Sequence, residues 1–246
     1  MSAAEPLVSI VVPVRADSRR VGALLAQLPP RQHLEIVVAS TGPVDDVQRQ
    51  LRVVRPDVTW VDAPPGRGVQ LNAGAAVAKG HWLWFVHADS EVPDRWFEAF
   101  EALEPREATV GGSFAFRLVS SAWQARCLER LVARRVRWFD LPYGDQGIFV
   151  RRRVFIQMQG FAPLPLMEDV EFVQRLKRQG HLEHLSLALG TSPRRWEDGG
   201  WLRHSAANLV TLSLYALGVS PERLAQRYYR SSHSTRGSSH VDQAGA

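Results

Sequence analysis

Three short segments of this 246-residue chain contain side chains that could do chemistry, and the first is the tip of an apolar run. The run begins at Trp82 and ends on the polar residues His87-Ala88-Asp89. A carboxylate at the end of a buried strand needs a metal ion, a helix N-terminus or a hydrogen-bond donor beside it. One carboxylate and one histidine suit Mg²⁺ or Mn²⁺ held partly by ligand phosphates, whereas capping of the following helix by Asp89 would need no metal.

The second segment is the glycine-rich stretch "PPGRGVQLNAG", in which Gly66 and Gly68 flank Arg67 just before a predicted helix. Free N–H groups at a helix start favour an anion, and the guanidinium of Arg67 pairs well with phosphate. Asn72 lies one turn into the same helix. A loop selected only for its turn geometry would explain the glycines equally well.

The third segment is "LMEDVEF", which puts Glu168 and Asp169 at the start of another predicted helix. Acidic residues at a helix start serve first as caps and as partners of the helix dipole. At the mouth of a nucleotide site, Asp169 could instead act as a general base.

Two neighbouring segments add polar groups to these three. Upstream of the "LMEDVEF" segment, "YGDQG" holds Asp145 and Gln146 just before a predicted strand. Downstream, "SPRRW" holds Arg194, Arg195 and Trp196. An arginine pair beside a tryptophan could bind a diphosphate or could form a surface stack.

The elements that must position these residues follow an α/β pattern in the first half of the chain. Apolar, β-branched runs alternate with helical spacing, which predicts a parallel sheet covered on both faces. The predicted strands are Leu7–Val14, Leu34–Ser40, Val58–Ala63 and Trp82–Val86, and the helices are Val21–Leu28, Asp45–Val54, Val69–Lys79 and Pro93–Leu103. Because ligands of such sheets bind at the carboxyl ends of the strands, we expect the three segments to meet there.

After Pro105 the pattern changes. The stretch Thr109–Val119 alternates like an antiparallel or edge strand. Further strands are predicted at Gln146–Arg151 and Leu182–Leu189, and helices at Trp123–Trp138, Asp169–Arg178 and within Gly199–Arg230. The Ser-rich stretch 231–246 is predicted to be disordered.

Charge and cysteine content narrow the classes of protein. The net charge is +5, and the single Cys127 cannot form an internal disulfide, which favours a reducing compartment such as the cytoplasm. We find no signal peptide and no apolar stretch of the ~18–20 residues that a spanning helix needs. The uncharged stretch Ser205–Pro221 suits a core helix, a dimer face or an interfacial helix.

The predicted helix Trp123–Trp138 is strongly amphipathic. Its two faces are Arg126, Arg130, Arg134 and Arg137 on one side, and Leu128, Leu131, Val132 and Val136 on the other. The arginine face lacks interleaved aromatics, which argues against a nucleic-acid partner, whereas solvation or an anionic lipid surface explains it.

In this order the segments resemble the inverting family 2 glycosyltransferases of the GT-A fold. "SIVVPV" resembles their opening strand, and "GRGVQLNAGAAVAKGHWLWFVHADSEVP" their nucleotide loop, helix and metal motif. "GDQGIFVRRRVFIQMQGF" with "LMEDVEF" resembles their acceptor region and catalytic ED. "TSPRRW" and "LGVSPERLAQRYY" are similar to a bacterial single-domain subgroup associated with radical-SAM/selenodomain proteins. The resemblance extends from about Leu7 to Arg230.

The resemblance implies a Rossmann-like α/β domain with a central, mostly parallel sheet and a C-terminal helical segment. The GT-A domain would cover residues 1–200, with a nucleotide half at about 7–105 and an acceptor half at about 106–200. A helical extension at 201–230 and the disordered tail at 231–246 would follow. Such enzymes transfer a sugar, with inversion and aided by Mn²⁺ or Mg²⁺, from a nucleotide-diphospho-sugar to an acceptor hydroxyl.

The resemblance also implies a role for each candidate residue. Asp169 would be the base, Glu168 would shape the acceptor site, and Asp89 would hold the metal. The donor would contact Pro13, Val14, Arg67, Asn72, His87, Arg194, Arg195 and Trp196, and the acceptor would contact Asp145 and Gln146.

Two positions depart from the family pattern. His87 stands where the first Asp of the family's DxD motif is expected. In relatives, an Asp at the end of the second strand binds the nucleotide base. Here Ala39 and Ser40 stand in its place, which removes the usual hydrogen-bond partner of uracil.

Two other functions remain open from the residues. A sugar-phosphate nucleotidyltransferase would use a similar loop and similar acids but would release pyrophosphate, and a non-catalytic nucleotide-sugar-binding protein would bind without turnover. The acceptor could be a small molecule or lipid-linked. The sequence is compatible with a homodimer and with a peripheral position at the inner membrane.

Overall fold

The computed structural model describes residues 5–15 and 18–234, and its chain divides into two compact units. The larger unit comprises Met1–Pro163 with Glu168–Ser192, and the smaller one comprises Leu164–Met167 with Pro193–Ala246. No helix among the described residues is both long and apolar enough to cross a membrane.

A mostly parallel sheet forms the centre of the larger unit, as predicted. Its strands are β1 (Val8–Arg15), β2 (Leu34–Thr41), β3 (Val58–Asp62), β4 (Trp82–Phe85), β5 (Thr109–Leu118), β6 (Phe149–Arg151) and β7 (His181–Thr191). Their order in the sheet is β3-β2-β1-β4-β6-β5-β7. Strands β1 to β4 run parallel, and the short β6 lies antiparallel to both β4 and β5.

Strand β5 is antiparallel to β6, as its alternation predicts, but it is not an edge strand. Strand β7 pairs with it in parallel on the other side. Glycines permit this close packing: a Cβ on Gly111 would lie 2.6 Å from the carbonyl oxygen of Phe149, and one on Gly112 would lie 1.8 Å from that of Glu183. The two residues that weaken the strand pattern are therefore the ones that let three strands approach each other.

The helices cover both faces of the sheet. They are α1 (Ser18–Ala26), α2 (Asp46–Val54), α3 (Arg67–Val77), α4 (Trp96–Leu103), α5 (Trp123–Phe139), α6 (Arg152–Gln157) and α7 (Glu168–Leu176). Apolar residues of α1 and α4 pack in one core cluster, and those of α3, α6 and α7 pack in the other. The six-residue α6 is too short to show a helical period in the sequence.

The smaller unit contains α8 (Arg194–Gly199), α9 (Trp201–Ala216) and α10 (Pro221–Ser234). The last two helices agree with the helical character predicted for Gly199–Arg230. Helix α10 extends to Ser234 and so includes the first four residues of the predicted tail. Residues 235–246 of that tail lie outside the described residues.

Helix α5 buries only a narrow stripe, formed by Ala125, Val132 and Val136. The predicted arginine face is exposed. Leu131, which we expected on the opposite face, is 58% exposed, because it is one residue and hence 100° away from the buried Val132.

Candidate active site

A cleft lies at the carboxyl edge of the sheet, where parallel α/β sheets bind ligands. Its lining includes five of the predicted site residues: Pro13, Arg67, His87, Glu168 and Asp169. They come from the ends of β1 and β4 and from the first turns of α3 and α7. The structure thus brings together residues that are up to 156 positions apart in the chain (13 to 169).

Arg67 begins α3 and points at the two carboxylates. Gly66 before it has a φ of 133°, a conformation that glycine adopts readily. The Nε of Arg67 donates to Oε1 of Glu168, and its Nη2 lies 3.6 Å from Oδ2 of Asp169. Burial alone would lower the pKa of Arg67, but the charges of Asp169 and Glu168 outweigh it and raise the pKa above its usual value. The guanidinium is therefore a permanent cation in the cleft.

Asp169 is held in a fixed orientation by backbone donors. Its Oδ2 accepts from the N–H of Gly144 at 2.8 Å, and its Oδ1 accepts from the N–H of Val170 at 2.8 Å. A Cβ on Gly144 would lie 3.2 Å from that Oδ2 and 3.4 Å from Nε2 of His87. Asp169 and His87 thus face the same small space, which a side chain at position 144 would crowd.

Asp89 follows the same edge of the sheet but is far less enclosed. Its Oδ2 lies 3.5 Å from Nη1 of Arg20, and its side chain is 34% exposed. The loop itself is anchored by Gln27, which donates to the carbonyl of Ser90 at 3.3 Å and accepts from the N–H of Val92 at 2.9 Å. The hydroxyl of Ser90 is buried and has no hydrogen-bond partner among the described residues.

The alternative that Asp89 caps the next helix is wrong. Helix α4 begins at Trp96, and its N-cap is Arg95 in a left-handed conformation, with no side-chain cap. The carboxylate of Asp89 therefore does not cap α4, and its side-chain contact is the one with Arg20.

The turn Gly144–Gln146 is held by a residue that sequence reasoning missed. Arg135 of α5 lies with its Cζ 3.4 Å above the Tyr143 ring and donates to Oε1 of Gln146 at 2.9 Å and to the carbonyl of Leu141 at 3.0 Å. Burial raises the pKa of Tyr143. The only feature of the sequence that could have pointed to this role is that Arg135 lies outside the predicted arginine face of its helix.

Gln146 is buried, contrary to its predicted place beside the acceptor. Its Oε1 also accepts from the N–H of Tyr143 at 3.2 Å, and its Nε2 donates to the carbonyl of Phe114 at 3.3 Å. Both ends of the amide are used within the protein, so the side chain holds the turn and is not presented to a substrate. Asp145 in the same turn is half-buried, and its charge adds to the field that raises the pKa of Arg67.

Two amides of α3 fix the surroundings of the cleft. Asn72 donates to the carbonyl of Phe161 at 2.8 Å and accepts from its N–H at 2.9 Å, so it secures this loop and has both polar atoms occupied. Gln70, a second residue missed from sequence, donates to the carbonyls of Val14 at 2.7 Å and Ala39 at 2.9 Å. It ties together the ends of β1 and β2.

The remaining candidates lie in the smaller unit, in α8. Trp196 is buried, with its ring 5.0 Å from that of His204 in an edge-to-face contact. Arg194 is exposed, and the side chain of Arg195 lies outside the described part of the chain.

The fold is an α/β fold of the GT-A type, and comparison with known families identifies the class of protein. Residues 9–162 match the family model described as Glycosyl transferase family 2. Because the match covers more than half of the chain, the chain belongs to glycosyl transferase family 2 and is a glycosyltransferase. No curated protein sequence matches it.

Solved structures share the fold at low sequence identity. The mannosyltransferase PcManGT from Pyrobaculum calidifontis, in complex with GDP-Man and Mn²⁺, is 21% identical with a TM-score of 0.63 over 89% of this chain and 66% of that chain. Residues 1–349 of S. aureus TarS are 14% identical with a TM-score of 0.60, over 88% of this chain and 68% of that one. The same TarS fragment in complex with UDP-GlcNAc is 15% identical with a TM-score of 0.59, over 75% of this chain and 58% of that one. This chain therefore spans about two thirds or less of their lengths.

Proposed function

We propose that this family 2 glycosyltransferase moves a sugar from a nucleotide-diphospho-sugar to an acceptor hydroxyl, with inversion and with the help of a divalent metal. The observation that carries the proposal is the convergence of Arg67, His87, Glu168 and Asp169 on one cleft at the carboxyl edge of the sheet. A single displacement needs a cation for the leaving diphosphate and a base for the acceptor, and Arg67 and Asp169 would supply them.

Asp169 is the proposed base. Two backbone N–H groups fix its carboxylate, and its remaining lone pairs are available to accept the acceptor proton. The acceptor oxygen would form its bond to the anomeric carbon as the bond to the diphosphate breaks on the opposite face. Glu168 would hold Arg67 in place and shape the acceptor side, together with Asp145.

Arg67 is the proposed contact for the donor diphosphate. It lies at the N-terminus of α3, where free N–H groups and the helix dipole add to its charge. His87 would contact the ribose, and Pro13 and Val14, at the end of β1, would contact the base. Asn72 and the α8 residues Arg194, Arg195 and Trp196 stay predictions for the donor.

A metal ion fits Asp89 only if the substrate shares in holding it. The described residues contain no group of three or more His, Cys, Asp or Glu side chains that could bind a metal without help. One partly exposed carboxylate suits Mg²⁺ or Mn²⁺ that takes its other ligands from diphosphate oxygens and water. When bound, the ion would neutralise charge on the leaving diphosphate. The Mn²⁺ complex of PcManGT supports this proposal.

Calorimetric titration tests the donor site. UDP, GDP, CDP and dTDP would be titrated with and without Mn²⁺ into the wild type, Asp89→Ala and the matched control Asp94→Ala, which removes an exposed carboxylate five residues away. Metal-dependent binding of one nucleotide, lost only in Asp89→Ala, is the expected result and names the donor base. No binding of any nucleotide would contradict the proposed donor.

Turnover distinguishes the remaining functions. The nucleotide that binds selects a set of donor sugars, which are then assayed for nucleotide release with the wild type and with Asp169→Asn. Release that depends on Asp169 supports transfer. Pyrophosphate release from a nucleoside triphosphate and a sugar phosphate would instead indicate a nucleotidyltransferase, and binding without turnover would indicate a non-catalytic protein.

A further inference from the structure

Helix α5 exposes large apolar side chains that no other described element covers. Trp138 is 69% exposed, and Trp123, Leu131 and Phe139 are exposed to a similar degree. Single exposed apolar residues are ordinary, but three of these, Trp123, Leu131 and Trp138, lie on one side of the 17-residue helix and form a patch of the kind that marks an interaction site.

The same surface is strongly cationic. Arg126, Arg130, Arg134 and Arg137 are all exposed. Glu129 is the acid within the helix, and it is occupied by Arg126 at 2.9 Å and by the N–H of Leu118 at 2.8 Å. Among the described residues, the other three arginines form no ion pair, so the helix surface keeps a net positive charge.

Helix geometry places the two sets side by side. At 100° per residue, Trp123, Cys127, Leu131 and Trp138 fall within an arc of about 80°, and the four arginines occupy an overlapping arc of similar width. Trp123 and Trp138 are separated by about 22 Å along the axis at 1.5 Å per residue. We call this surface the Trp–Arg face.

We propose that the Trp–Arg face docks on the surface of an anionic lipid bilayer. Tryptophan rings are suited to the headgroup level, arginine side chains reach phosphates from an apolar stem, and the charge of the face is complementary to an anionic leaflet. A convex helix with a tryptophan at each end and Leu131 between its cations fits a planar interface. A nucleic acid would be expected to use aromatics interleaved along a groove, whereas the two tryptophans here lie at opposite ends.

Vesicle binding with a matched pair of variants tests the proposal. The full chain would be co-sedimented with vesicles of phosphatidylcholine and phosphatidylglycerol at 3:1 and with phosphatidylcholine alone. The test variant is Leu131→Ser/Arg134→Gln, and its control is Arg153→Gln/Ile156→Ser on α6. Both variants remove one exposed arginine and one exposed aliphatic side chain at i,i+3 spacing, since Leu131 is 58% and Ile156 59% exposed.

The wild type is expected to bind the anionic vesicles and not to bind the vesicles of phosphatidylcholine alone. Removing one arginine near an anionic surface should weaken binding about fivefold, and removing the leucine as well should bring the loss to at least about tenfold. The α6 control should bind within about twofold of the wild type. Binding should also weaken as salt rises, because exposed charges are screened.

Several outcomes would overturn the proposal. They are failure of the wild type to bind anionic vesicles, an equal loss in the α6 control, and preference for a single-stranded oligonucleotide over vesicles. Self-association in light scattering that the α5 variant abolishes, without vesicle binding, would assign the face to a second copy of the chain. Quenching of wild-type tryptophan emission by brominated lipid gives a second readout that needs no variant. The assay contains neither donor nor acceptor, so it is independent of sugar transfer.

Discussion

Two carboxylate positions at the same edge of the sheet differ in how completely the protein surrounds them. Asp169 is 14% exposed and binds two backbone N–H groups, with Arg67 close by, and Glu168 beside it is almost fully buried. Asp89, at the end of β4, is 34% exposed and has Arg20 at 3.5 Å as its neighbour. The carboxylates on the α7 side are held by contacts within the protein, whereas Asp89 on the β4 side is more open to solvent.

This difference suits the two tasks that we propose. A base must be oriented before the acceptor arrives, because a small misplacement costs rate, and hydrogen bonds within the fold provide that orientation. A metal ligand shared with a substrate must leave room for the ion and its other ligands. Mutations on the α7 side should therefore change catalysis or stability, and mutations on the β4 side should change metal-dependent donor binding with little effect on stability.

The largest effect is expected for Asp169→Asn. The amide oxygen can still accept from the N–H of Gly144, but the group cannot take a proton, so kcat should fall by about 10³-fold. Steady-state kinetics measures the loss, and nucleotide titration should show unchanged donor affinity. Retention of most of the activity would remove Asp169 from the role of base.

Glu168→Ala should reveal the structural side of the same cluster. It leaves the partly buried Arg67 without its closest partner, and we expect the free energy of unfolding to fall by about 2 kcal/mol. Urea denaturation measures the change, with Asp89→Ala as the comparison, which should stay within about 0.5 kcal/mol of the wild type. Equal losses in the two variants would show that Glu168 is no more important for stability than Asp89.

Asp89→Ala should instead weaken metal-dependent nucleotide binding by about tenfold or more, the range of a hydrogen bond or ligand to a charged group. In the absence of metal, wild type and variant should bind the nucleotide alike. An equal deficit with and without Mn²⁺ would show that Asp89 contacts the nucleotide directly.

Arg135→Gln should have the smallest effect, about fivefold in kcat, because Arg135 acts only through the turn that donates to Asp169. Donor KM should be unchanged, and Arg135→Lys should recover little because lysine lacks the planar fork. The neighbouring exposed Arg134→Gln is the control. An effect on KM rather than kcat would argue against a positioning role.

The sequence predicted the elements better than their contacts. Parallel strands end at one edge, so the meeting of His87 with the segments of Arg67 and Asp169 could be expected from periodicity. The place of β6 between β4 and β5 could not, because three residues have no readable period. Gln70 and Arg135 were missed since their partners depend on tertiary structure: Gln70 binds carbonyls 31 and 56 residues away.

Leu131 shows a different limit of sequence reasoning. A helical wheel gives the direction of each side chain but not the width of the groove that receives the helix. Helix α5 has only Ala125, Val132 and Val136 buried, so an apolar residue beside that narrow stripe is left in solvent.

The exposed thiol of Cys127 has a practical consequence for this chain. It is the only cysteine in the sequence, it is exposed, and it lies between Trp123 and Leu131 on the outer surface of α5. A maleimide fluorophore or nitroxide would therefore label the wild-type protein at one defined point, with no cysteine to remove or introduce. Spectroscopic measurements of the polarity and mobility around this helix can thus begin from the natural sequence.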